Sequence, residues 1–158
     1  MTMTMMATTM GTVLAVAATA AMIVQAAPAR ADSPVNLDVT DAVRAQLVQA
    51  GAVLTRQPAA QYSGLQPGKT YYAYDPDNDT YWAAAALSGP KTFQAAVMLQ
   101  DANSYMIFHK QSQGETWVAI GVGFGPISSG EEPCPLPPEI HDLWQWPLGA
   151  CYPPPSNN

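Results

Sequence analysis

Positive charge is scarce in this chain: 6 Lys and Arg stand against 12 Asp and Glu, for a formal net charge of −6. With so few cations there is no basic stripe to track a phosphate backbone and no polybasic segment for anionic lipid, so nucleic acid is not an expected partner. Recognisable catalytic signatures are also missing. There is no H-E-x-x-H, no Walker A loop and no strand-linked G-x-G-x-x-G. Ser128 and Ser129 sit in GPISSG, which is not the G-x-S-x-G elbow of a serine hydrolase. Ser63 in YSGL has no evident base nearby. Only 11% of residues are charged while 48% are hydrophobic, a balance that folds rather than one that stays disordered.

What is present first is an address. Residues 1–28 carry no charged side chain, and Gly11–Ala27 is a continuous small and apolar run ending at Ala29-Arg30-Ala31. Small residues at −3 and −1 of a cleavage point are what signal peptidase accommodates, so residues 1–31 read as a signal peptide. No Lys or Arg precedes the run, which departs from the usual pattern. The alternative, a retained anchor, needs roughly 20 predominantly apolar residues; this run is shorter, rich in Ala and interrupted by Thr19 and Gln25. No membrane span is expected after cleavage. The expected exported part is a single domain, 32–152, with a Pro-rich tail at 153–158. Loss of Arg30 takes its charge to −7.

Cys134 and Cys151 both lie in that part. An oxidising compartment lets a disulfide persist, and closing a loop of this length is worth roughly 3 kcal/mol in the chain-entropy model. A metal site would need further ligands, and only His141 is near.

Thr40 reads as an N-cap, followed by Asp41 and by Val43, Leu47, Ala50 and Leu54 at helical spacing, giving an amphipathic helix over 41–55. Residues 32–37 read as a polar lead-in and 58–68 as a connection broken by Pro and Gly. Five strands are then expected: 69–74, 80–87, 93–100, 105–110 and 116–122, joined by short turns into an antiparallel meander. The Ala run in the second is ambiguous with helix. Pro137-Pro138 opens a short helix in EIHDLWQW, with Ile140, Leu143 and Trp144 on one face. The fold class expected is α+β, two layers, with one amphipathic helix on a four- to five-stranded antiparallel sheet and a disulfide-closed C-terminal segment.

The run YYAYDPDNDTYWA (71–83), with a helix before it and FQAAVMLQDA after it, resembles a group of small secreted proteins of actinobacteria, of mycobacterial type. The likeness spans much of 40–122. It implies export and this architecture, and it carries over no activity and no catalytic residue.

Several residue sets bear on chemistry. Asp75, Asp77 and Asp79 alternate as Ca²⁺ ligands do, but an EF-hand loop needs Gly at its sixth position and an acid at its twelfth, where this chain has Thr80 and Ala86. The same residues suit a hairpin turn, and no cofactor is expected. Asn78-Asp79-Thr80 matches the N-glycosylation pattern, which has meaning only in a eukaryotic secretory protein. His109 would share a strand face with Tyr105 and Ile107. His141 and Asp142, adjacent on a short helix, read as a solvated face rather than a dyad. Glu115, Glu131, Glu132 and Glu139 fall in no spacing that selects a catalytic pair.

Aromatics are the more suggestive feature. Tyr71, Tyr72, Tyr74, Tyr81 and Trp82 cluster in one hairpin, followed by Trp117, Trp144 and Trp146. An outward stripe of these would bind a protein or a sugar; the plainer reading is cross-strand pairing. The expectation is therefore a non-catalytic binding module of the cell envelope or exterior, with an unidentified protein or glycan partner and Tyr72, Tyr74, Tyr81 and Trp82 as contact residues. Two rivals are a secreted inhibitor of an envelope protease or lysozyme-type enzyme, presenting loop 75–79 or 123–133, and a hydrolase with a dispersed site involving Glu115 or His109.

Overall fold

The computed structural model describes residues 32–101, 105–122 and 134–154. The expected signal peptide, the 123–133 loop with Ser128, Ser129, Glu131 and Glu132, and the end of the tail lie outside the described residues.

The helix α1, Asp41–Thr55, forms where its periodicity places it. Thr40 caps it by accepting from the Val43 amide, and Arg56 ends it in the left-handed region at φ 54°. Leu47, Ala50, Gly51 and Ala52 face inward. Gly51 costs helix propensity, and the packing explains it: a Cβ there would stand 3.0 Å from Met106 Sδ and 3.3 Å from a Leu87 methyl. The helix lies close to the sheet because this residue has no side chain.

The strands are β1 (Val35–Asn36), β2 (Gly64–Leu65), β3 (Tyr71–Asp75), β4 (Thr80–Ser88), β5 (Tyr105–Gln111) and β6 (Val118–Val122). Their order is β1-β3-β4-β5-β6, with β2 pairing the far end of β4, and every pairing is antiparallel. A register shift between Ile107 and Phe108 marks a bulge against β6. Two of these strands come from segments expected to be irregular. Val35 and Asn36 of the lead-in pair with Tyr74 and Ala73, and Gly64 and Leu65 of the connection pair with Ser88 and Leu87. Both are two residues long, too short for an alternating pattern to register.

The expected strand 93–100 is a helix, α2, Phe93–Asp101. The Thr92 side chain caps it by accepting from the Ala95 amide at 3.3 Å. Gln94, Ala95, Ala96, Met98, Leu99 and Gln100 are good helix formers, and only Phe93 and Val97 favour a strand. The chain therefore leaves β4, makes a helical detour and returns as its neighbour β5.

The Ala run of β4 is strand because that strand is central. Ala83 and Ala85 point to the α1 face, and Ala84 and Ala86 to the opposite one. All four are buried. Small side chains there let both covers approach.

The second cover is α3, Pro138–Trp144, inside the loop closed by the Cys134–Cys151 disulfide. Leu136, Ile140, Trp144, Trp146 and Cys151 pack with Ala73, Ala84, Ala86, Tyr105 and Ile107. The expected two-layer arrangement is thus corrected to three layers: α1, sheet, and disulfide-closed cap. A sheet whose second face carries Tyr71, Tyr105 and Ile107 must bury it, and the cap supplies Leu136, Ile140, Trp144 and Trp146 for this.

Candidate functional site

Strand alternation sorts the hairpin aromatics onto two faces. Tyr72 opposes Ala83 and Tyr74 opposes Tyr81 on the α1 face, while Ala73 opposes Trp82 on the other. The four residues expected to form one contact surface are therefore divided. Trp82 stands behind the sheet, a correction that follows from its odd place in the register. Tyr72 is a core residue, in contact with Tyr81 at 6.1 Å and edge-on to Trp117 at 5.7 Å. Burial, then the neighbouring Tyr81, raises its hydroxyl pKa.

Tyr74 and Tyr81 remain half-exposed at the turn end of the sheet. Their rings lie 4.7 Å apart with 37° between planes. Each is held from a different side. The Tyr74 hydroxyl donates to Asp79 Oδ1 at 3.0 Å, and this bond is the largest cause of its raised pKa, ahead of burial. Tyr81 faces Lys110 in the register of β4 with β5. Lys110 Nζ lies 5.0 Å from the Tyr81 ring centroid and 5.1 Å from that of Trp117. It also donates to the Gln113 carbonyl at 3.3 Å. Only 6% of Lys110 is exposed, and burial lowers its pKa. Trp117 in turn donates to Gln46 Oε1 on α1 at 3.1 Å. The result is a small aromatic ledge whose support runs back to the helix.

Lys110 and Gln46 are absent from the expected contact residues, and Trp117 enters the sequence expectation only as one of the aromatics that follow the hairpin. The signal for Lys110 was present: a hairpin pairing Tyr74 with Tyr81 and then a strand YMIFHK carries Lys110 to the same face. Gln46 and Trp117 meet only through the fold.

The turn beside the ledge gives each Asp a separate task. Asp75, buried, accepts from the Asp77 amide on Oδ1 and from Asn78 Nδ2 on Oδ2, at 3.2 and 2.8 Å. Asp79 takes a left-handed backbone at φ 47°, which short polar residues tolerate best. Asp77 is exposed. Among the described residues no three His, Cys, Asp or Glu side chains gather as metal ligands do. The alternating Asp residues act as turn-formers there, not as a converging set.

On the cap face, Trp82 stacks on His109 at 5.7 Å and 28°. Glu115 is exposed in the β5–β6 turn, and among the described residues no hydrogen bond joins it to His109. His141 was expected on a solvated face and is instead 2% exposed. α3 is seven residues long, and His141 bonds the Pro147 backbone in the segment that leads on to Cys151. Burial lowers the His141 pKa, partly offset by a hydrogen bond to the Pro147 backbone and by Asp142. Its Nδ1 has no partner among the described residues, nor do the indole nitrogens of Trp82 and Trp146. Since Pro147 offers only a carbonyl, the other ring nitrogen, Nε2, is the donor.

No family model, curated protein or solved structure matches this chain. Whatever the site does has to be argued from its own geometry.

Proposed function

We propose that this protein is a non-catalytic binding module of the cell exterior or envelope, and that the Tyr74–Tyr81 ledge is its contact surface. The observation that carries the reading is the half-exposed tyrosine pair, fixed on one side by Asp79 and on the other by Lys110. Aromatic rings supply contact area at small entropic cost, and rings already immobilised lose less on binding. A ring pair needed only for cross-strand packing requires neither the carboxylate clamp nor a buried cation beneath it.

An exterior location is supported by the leader-like run at 1–31, by the resemblance to small secreted actinobacterial proteins, and by the intramolecular disulfide, which suits an oxidising compartment. No helix among the described residues is long and apolar enough to cross a membrane.

The test is capture from envelope and culture medium on the immobilised, oxidised protein. A Tyr74→Ala, Tyr81→Ala version serves as the ledge control and Trp82→Ala as the opposite-face control. Capture lost with the first and kept with the second is expected. Capture lost only with Trp82→Ala would move the surface to the cap face, and equal capture by all three would sink the reading.

A further inference from the structure

We infer that Tyr74 and Tyr81 are a modification site, joined as an intramolecular dityrosine by a one-electron oxidant such as a haem peroxidase with hydrogen peroxide. The link would staple β3 to β4 across the acidic turn. This chemistry does not depend on the ledge binding a partner. Ring contact, access and a proton acceptor select the pair. The chain has 7 tyrosines. Tyr62, Tyr72 and Tyr105 are buried. Tyr71 is half-buried against Trp144 and Trp146, and Tyr152 has no aromatic ring partner among the described residues. Tyr74 and Tyr81 are both half-exposed and stand directly opposite each other in the β3–β4 register. Side chains so placed start within about 5.5 Å of each other at Cβ, and here the ring centroids are 4.7 Å apart. The other Tyr–Tyr ring contact among the described residues, Tyr72 with Tyr81, is longer at 6.1 Å and has one ring in the core. The lean of Tyr74 and Tyr81 toward each other is what a bond between ring carbons needs.

The surroundings of the two phenols set the order of events. The Tyr74 hydroxyl donates to Asp79 Oδ1 at 3.0 Å. A phenol gives up an electron most easily when its proton leaves at the same time, and an ionised carboxylate at this distance is within reach of that transfer. Tyr81 has a cation instead: Lys110 Nζ stands 5.0 Å from its ring centroid, which opposes the loss of an electron. Tyr74 is therefore oxidised first. Its electron passes to the oxidant, its proton to Asp79, and a neutral phenoxyl radical remains. A second oxidation at Tyr81, with the phenol proton released to water, gives the second radical. The two couple through a new carbon–carbon bond between positions ortho to the oxygens. Each ortho hydrogen then moves to its own oxygen and restores the phenol. Two electrons and two protons leave the protein in all, which reduces one hydrogen peroxide to two waters.

The test treats the full, disulfide-bonded chain in dilute solution with a haem peroxidase and limiting hydrogen peroxide. A parallel sample receives a photo-excited ruthenium tris-bipyridine complex with persulfate, an oxidant small enough to reach half-exposed rings. Blue dityrosine fluorescence is expected on a chain that still runs as a monomer, with a mass lower by two hydrogens. After reduction of the disulfide, cleavage beside Asp75, Asp77 and Asp79 should leave the two sides of the turn joined. Tyr74→Phe and Tyr81→Phe, which keep the ring packing, should each abolish the link. Tyr71→Phe and Tyr152→Phe should leave it in place. Asp79→Asn still accepts the phenol hydrogen bond and tolerates the left-handed backbone, but it takes no proton, and it should slow the link severalfold.

Absence of monomeric dityrosine with both oxidants overturns the inference. So does a link that survives Tyr74→Phe or Tyr81→Phe, one that maps to other tyrosines, or one found only between chains. Formation at the wild-type rate in Asp79→Asn overturns the assigned proton path.

Discussion

The indole N–H of Trp144 donates to Asn36 Oδ1 at 3.0 Å, joining the last helix to the first strand across 108 positions of sequence. Trp144 also packs on Tyr71 at 5.4 Å and Trp146 at 5.1 Å, so the cap and the β1 edge stand or fall together. Trp144→Phe keeps most of the ring packing and removes the donor. It should lose about 1–2 kcal/mol, a hydrogen bond plus some contact area. A double-mutant cycle with Asn36→Ala, read by chemical denaturation, should assign about 1 kcal/mol of that to the pair. A coupling near zero would show that the bond contributes nothing.

The cap is tied by one covalent link. Replacing Cys134 and Cys151 with Ser should cost about 3 kcal/mol for a loop of separation 17. It should also loosen the layer holding Trp144 and Trp146. Emission from the tryptophans should shift to the red and a hydrophobic dye should bind, while the α1 face, which the loop does not touch, keeps its secondary structure. Unchanged fluorescence in the Ser variant would mean that packing alone holds the cap.

Gly51 weighs two opposing effects. Gly51→Ala gains about 1 kcal/mol of helix propensity, set against a Cβ 3.0 Å from Met106 Sδ, a flexible atom that can give way. The net change should be near zero. Gly51→Val adds bulk toward Leu87 as well, and should cost about 2 kcal/mol by overpacking. A thermal melt of the two variants separates them, and equal midpoints would contradict the close approach of helix and sheet.

His141 makes stability depend on pH. Its folded pKa lies below its ordinary value of 6.5, chiefly through burial. The folded protein therefore holds His141 neutral where the unfolded chain has begun to bind a proton. The contribution is fully present above pH 6.5 and is lost as pH falls from there toward the folded pKa. Between pH 6.5 and about 5, where carboxylates begin to titrate, wild type should lose stability while His141→Gln should hold level. Parallel curves for the two would place the titration elsewhere.

Much of the layer structure was legible in the residues themselves. Thr40, Asp41 and the Val43, Leu47, Ala50, Leu54 spacing mark α1 because cap chemistry and helical period act locally. β3, β4, β5 and β6 are marked by their aromatic and β-branched content, and the two cysteines by their number. The strand expected at 93–100 failed for a physical reason: Ala, Met, Leu and Gln favour a helix, and nothing local indicates how far apart two neighbouring strands sit in the chain. The Tyr residues of the ledge were legible as a cluster, but their division between faces needed the register.

The sequence by itself determined α1, the strands β3 to β6, the short helix α3, the one possible disulfide and the aromatic hairpin, because caps, turn residues and periodicity act within a few positions. Tertiary structure alone decided that the C-terminal segment is a third layer, that His141 is buried, and that Lys110 and Trp117 stand behind Tyr81. These depend on side chains tens of positions apart meeting across a sheet. Gln46 and Trp117 are 71 positions apart and share a hydrogen bond only because α1 lies across the strands.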